Sequence, residues 1–127
     1  MRDLDYLKSL PKVEVSFQDD FSGSERELFL TPNYVLRELA KQQIMPRLGQ
    51  KILFWEKDTD FNGIEDYMCN VGVIVKATKD ILEKHEGYGH QVSNKDLVML
   101  QDTPIMVKIE RESASYFRLP INSKVLK

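Results

Sequence analysis

The 127-residue chain carries 18 basic and 20 acidic side chains, a formal net charge of −2, with 42% hydrophobic and 30% charged residues. These values fit one soluble globular domain over residues 1–127 and exclude a disordered chain or one drawn to nucleic acid by bulk charge. Cys69 is the only cysteine, so no internal disulfide forms, and no apolar run approaches the length of a membrane span.

The first twelve residues bring acids early and no apolar stretch. No secretion signal is expected, and the cytoplasm is the expected location. Leu4, Tyr6 and Leu7 recur at helical spacing within residues 1–10, and Pro11 ends that turn. Val13, Val15 and Phe17 alternate with Glu14, Ser16 and Gln18, the pattern of a half-buried strand. Asp19 to Ser24 supplies turn residues, and Glu27 to Leu30 is expected to return as the paired strand.

Thr31-Pro32 predicts a helix start, because Thr can accept a backbone N–H and Pro loses nothing at the first helical position. Leu36, Leu39, Ala40 and Gln43 then share a face, with Val35 beside them, and predict a helix over 32–43. Lys51 to Lys57 and Tyr67 to Val75 are the most strand-like runs. Tyr67, Cys69, Val71, Val73 and Val75 share one face, and Gly72 interrupts the other, which signals a bulge or a close backbone approach. Thr78 is expected to cap a short helix over 79–84, ended by Gly87, and a turn or short helix follows at 93–97. Ile105, Val107 and Ile109 alternate in a further strand, and Tyr116 to Leu119 form a last one limited by Pro120.

Strands therefore mostly follow strands, and no βαβ series appears. The expected class is α+β, mainly antiparallel β with two or three short helices. Leu48-Gly49-Gln50-Lys51-Ile52-Leu53-Phe54, Val71-Gly72-Val73-Ile74-Val75 and Asp96-Leu97-Val98-Met99-Leu100 together resemble an SH3-like small β-barrel of the KOW or Tudor kind, over about residues 48–110. The resemblance implies a barrel core. The chain has neither an ALYDY-like run nor paired tryptophans, so no peptide-binding role carries over.

The most informative stretch is DTDFNGIED, residues 58–66. Residues 51–70 hold five acids against two bases, the most acidic segment of the chain. Asp58, Asp60 and Asn62 match the first three ligand positions of a calcium loop, Gly63 its turn, and Asp66 its ninth position. Cys69 stands where the bidentate Glu belongs, and the flanks read as strands. Asn62-Gly63 is also a type I′ hairpin signal. That turn would set Phe61 opposite Ile64, Asp60 opposite Glu65 and Thr59 opposite Asp66, and an Asp–Glu pair across strands is repulsive. The mismatch implies a frayed, solvated tip, a bound cation or a basic partner.

Other constellations are weaker. His85, Glu86 and His90 match no usual zinc spacing, and surface histidines on a glycine loop are the simpler reading. Cys69 shares the parity of Val71 and Val73, as a buried structural thiol would. Tyr88, Phe117 and scattered lysines would be the means of a nucleic-acid-binding barrel, without a basic stripe to support it. The expected function is a non-enzymatic interaction protein, possible kinds being inhibitor or immunity-type. It presents Glu56, Asp58, Asp60, Phe61, Glu65 and Asp66 to a basic protein surface. The alternative is a calcium module on Asp58, Asp60, Asn62 and Asp66, and an enzyme built on His85, Glu86 and His90 ranks last.

Overall fold

A computed structural model of the protein describes residues 4–22, 28–29, 31–59, 62–78, 98–110 and 116–126. In chain order these form α1 (Leu4–Ser9), β1 (Lys12–Glu14), β2 (Phe21–Ser22), β3 (Leu28–Phe29), α2 (Pro32–Lys41), β4 (Lys51–Thr59), β5 (Glu65–Lys76), β6 (Val98–Leu100), β7 (Thr103–Ile109) and β8 (Phe117–Pro120). A single 3-10 turn, Lys124–Leu126, follows. The segments expected at 79–97, with His85, Glu86 and His90, lie outside the described residues.

All eight strands join one sheet in the order β1-β4-β5-β7-β3-β2, with β6 beside β7 and β8 beside β5. β5 is long enough to have two successive neighbours on one side. Its Gly72 to Lys76 pair with β7, and its Asp66 to Cys69 pair with β8. The α+β class holds, and six of the seven pairings are antiparallel.

The barrel does not form: the sheet stays open, with β1 at one edge and β2 at the other. The outer edge of β1 shows one reason. Gln42 Nε2 donates to the Lys12 carbonyl at 2.7 Å, and Tyr34 Oη donates to the Glu14 carbonyl at 2.8 Å. Side chains from the first turn of α2 and from just beyond its last residue thus occupy acceptors that a closing strand would need.

Period-2 alternation buries Val13, Val15 and Phe17 as expected, but the partner is different. β1 runs parallel to β4, with Val13 opposite Phe54. Leu28–Phe29, the expected return strand, instead pairs with Phe21–Ser22, whose residue types predict a turn. Alternation reports which residues face the core, and it carries no information about which strand lies alongside.

Each face of the sheet has its own core. On one face Ile52, Phe54, Ile74, Ile105, Val107 and Ile109 pack with Val35 and Leu39 of α2 and with Phe17, Phe21 and Phe29. On the other, Leu53, Cys69, Val71 and Leu119 pack with Leu7, Leu10 and Val125. The stripe of α2 is therefore centred on Val35 and Leu39, with Ala40 exposed, rather than on Leu36 to Gln43. Leu7 is buried and Leu4 is exposed.

The helix ends of α2 also differ from expectation. Thr31 makes no side-chain cap, and its carbonyl accepts the Tyr34 N–H at 2.9 Å. At the other end Gln43 takes φ +61°, its N–H bonds Ala40 O, and the Ile44 N–H bonds Leu39 O. This is a Schellman ending with Gln43 where glycine is usual.

Gly72 is a close approach and not a bulge. It keeps regular register with Ile52 and Ile109. A Cβ built there would stand 2.0 Å from Cε2 of Phe54. The aromatic ring uses the space that the glycine leaves.

Candidate functional site

The β4–β5 hairpin is present, but its turn is not type I′. The register pairs Asp58 with Asp66 and Thr59 with Glu65, one residue away from the expected pairing. Gly63 has φ +78°, whereas Asn62 stays out of the left-handed region. Type I′ needs both central residues left-handed, and the paired strands here end at Thr59 and begin at Glu65. Asp60 and Phe61 lie outside the described residues.

The shift changes which acids oppose each other. Two aspartates now face each other directly, on the same side of the sheet as Phe54. Like charges so placed repel. The third strand supplies the answer. β8 sets Arg118 opposite Met68, and its Nη1 lies 2.8 Å from Asp58 Oδ2 and 2.7 Å from Asp66 Oδ1. One guanidinium thus bridges both carboxylates and ties β8 to the hairpin. The hydrogen bond from Arg118 holds the Asp58 carboxyl below its usual range. It occupies the space between Asp58 and Asp66 that a cation would take. Asn62 is exposed, and among the described residues no three His, Cys, Asp or Glu side chains gather as a metal-holding group.

The remaining acids are placed as follows. Glu65 stands 3.5 Å from Lys57 in an exposed ion pair on the opposite face. Such pairs contribute little energy in water. Glu56 turns inward, and its Oε1 accepts the Phe17 N–H at 3.1 Å. Asp20 accepts the neighbouring Ser16 N–H at 2.7 Å. These two carboxylates pin the chain where it leaves β1 and crosses the sheet. Ile64, by contrast, is 60% exposed.

Where the chain departs, an open cleft of about 630 Å³ remains beside β4. Glu14, Asp20 and Glu56 line it, together with Tyr34, Arg37 and Lys57. Burial, followed by the charges of Glu38, Glu14 and Asp20, raises the Tyr34 pKa. Sequence reading found Glu56 and missed Arg118, Asp20 and Tyr34. Arg118 has a legible strand context, but its two partners depend on β8 lying beside β5. The Ser16 and Asp20 pairing is a local turn signal and was readable.

Cys69 is fully buried on the face with Val71, and its thiol lies 3.7 Å from the Tyr67 carbonyl. Burial, with a smaller contribution from Asp66, pushes its pKa up to about 12. It is not a thiolate at neutral pH. Among the described residues no helix is long and apolar enough to cross a membrane. Comparison of the chain with protein-family models, with curated proteins and with solved structures found no match.

Proposed function

We propose that the protein is a non-enzymatic interaction protein that presents the end of the β4–β5 hairpin, residues 56–66, to a protein partner with a basic surface. The observation that carries this reading is the exposed Ile64 at a sheet end stiffened by the Asp58–Arg118–Asp66 bridge. An apolar contact ringed by charge is the usual anatomy of a transient interface. The stiffening matters because a pre-ordered surface loses less entropy on binding. The five acids of this segment outnumber Lys57 and Arg118, so the excess charge steers a basic partner toward the hairpin. An inhibitor or immunity role is the version in which that partner is an enzyme.

The test avoids Asp58 and Asp66, since replacing either breaks the bridge. The double variant Ile64→Ser, Glu65→Lys leaves the bridge and both cores alone. Affinity capture from native extract at low salt, followed in time, is expected to be slower by about tenfold for the variant. The difference should shrink at high salt. Equal capture rates for both proteins at low salt refute the reading.

A further inference from the structure

We infer that the open edge of β4 at Lys57–Thr59, with the adjoining cleft, is a strand-addition site for an extended basic segment of another protein. The inference rests on the proposed interaction role and specifies its mode.

Three observations combine. First, β1 covers only part of β4. Lys12 to Glu14 lie beside Leu53 to Trp55, and the last ladder bond runs from the Val15 N–H to the Trp55 carbonyl at 2.9 Å. The next N–H, that of Phe17, turns away to the Glu56 carboxylate. β4 itself continues to Thr59, paired on its other side with β5. Trp55 directs its carbonyl to β1, so period 2 turns Lys57 and Thr59 to the same edge; the Thr59 N–H is taken up by the Asp58 carboxylate, and the edge groups that remain are the N–H and C=O of Lys57 and the C=O of Thr59. No strand among the described residues covers them.

Second, the edge is closed in one part and open in the next. Along β1, Tyr34 and Gln42 cap the carbonyls of Glu14 and Lys12. Beside Lys57 the structure instead has the cleft, walled by Val15, Ser16, Thr31 and Tyr34. Exposed edge amides and carbonyls recruit extended chains, and main-chain bonds then supply affinity while side-chain pockets supply selection.

Third, charge chooses the guest. Glu56, Asp20 and Glu14 line the cleft, and Asp58, bridged to Arg118, shares the sheet face of Glu56. Each of Glu56 and Asp20 places one oxygen on the backbone of 16–17. Arg37 and Lys57 also line the cleft, so its three carboxylates exceed its bases by one, and a Lys or Arg at alternate positions of the guest strand would meet that excess. A partner seated there also lies next to the hairpin end, which makes the two surfaces continuous.

The probe is a displayed octapeptide library with Lys or Arg fixed at alternate positions and the others free. An enriched peptide is synthesised in two forms, plain and N-methylated at the amides meant to face the edge. The expected result is that the plain peptide shifts the Lys57 and Thr59 amide resonances and slows hydrogen exchange at the Lys57 amide. N-methylation should weaken binding at least tenfold, and Glu56→Gln with Asp20→Asn should weaken it as well. Equal binding of both peptide forms overturns strand addition while leaving charge-guided docking in place. Absence of any enriched peptide, or shifts confined to other strands, also overturns it. Failure of the interaction role itself is read separately, from the Ile64→Ser, Glu65→Lys capture rates.

Discussion

Replacing Gly72 with Ala tests the packing that shapes this sheet. The new methyl would begin 2.0 Å from Phe54 Cε2, 2.8 Å from Cδ2 and 3.0 Å from Cζ. Carbon atoms pack at roughly 3.5–4.0 Å, so the ring must retreat by about 1.5 Å. It has little room to do so. Phe54 is fully buried, stacked on Phe29 at 5.6 Å between centroids and met edge-on by Phe21 at 5.7 Å. Overpacking of this kind costs roughly 3 kcal/mol at the upper end of its range. Alanine restricts the unfolded chain and returns about 0.5–1 kcal/mol. The net destabilisation is about 2 kcal/mol, equivalent to a fall in Tm of roughly 8 °C for a domain of this size.

Urea unfolding followed by the fluorescence of Trp55 measures it. The companion variant Phe54→Leu removes the obstructing ring. In the double variant Gly72→Ala should cost less than about 0.5 kcal/mol, so the cycle is strongly non-additive. A neutral or stabilising Gly72→Ala, or two costs that simply add, would refute the view that glycine is present to admit the ring.

Two further predictions concern titratable groups. The Asp58 carboxyl should titrate below the usual aspartate value of about 3.9, and Arg118→Gln should move it upward, as read by carboxyl carbon shifts in an NMR titration. The sign follows from linkage: a carboxylate whose folded pKa is depressed stabilises the fold above its unfolded pKa, and that contribution disappears as pH falls through the folded value. Wild type should therefore lose more stability than Arg118→Gln on acidification below about pH 4, and identical acid profiles would contradict the bridge. Cys69, buried and with its pKa pushed up to about 12, should resist a thiol reagent at pH 8 in the folded protein and react promptly in urea. Rapid labelling of the native protein would show that the face bearing Val71 opens.

Much of the local structure was legible. Alternation located β4, β5 and β7 and the buried faces of β1 and β5. Gly72 signalled either a bulge or a close approach, of which the second holds, and Cys69 was readable as buried from its parity with Val71. These are consequences of period-2 geometry and side-chain volume, which a single strand carries in its own sequence. The turn at 60–64 was less legible because Asn-Gly fits more than one hairpin, and strand register is settled by what both faces of the sheet bury. Here Leu53 and Trp55 must face the side of Leu7 and Val125, and Phe54 the side of α2. That requirement brings Asp58 opposite Asp66 instead of Asp60 opposite Glu65.

The sequence by itself determined the α+β class, the acidic excess of residues 51–70 and the two strands that carry it. Tertiary structure decided how that charge is used. Cross-strand repulsion is local and visible in a sequence, whereas its relief by Arg118 comes from a strand more than fifty residues away. Only the sheet order brings that guanidinium between Asp58 and Asp66. The stretch of β4 at Lys57–Thr59 that no described strand covers has the same origin. It exists because β1 turns off β4 at Val15, and the length of one strand contains no record of where its neighbour departs.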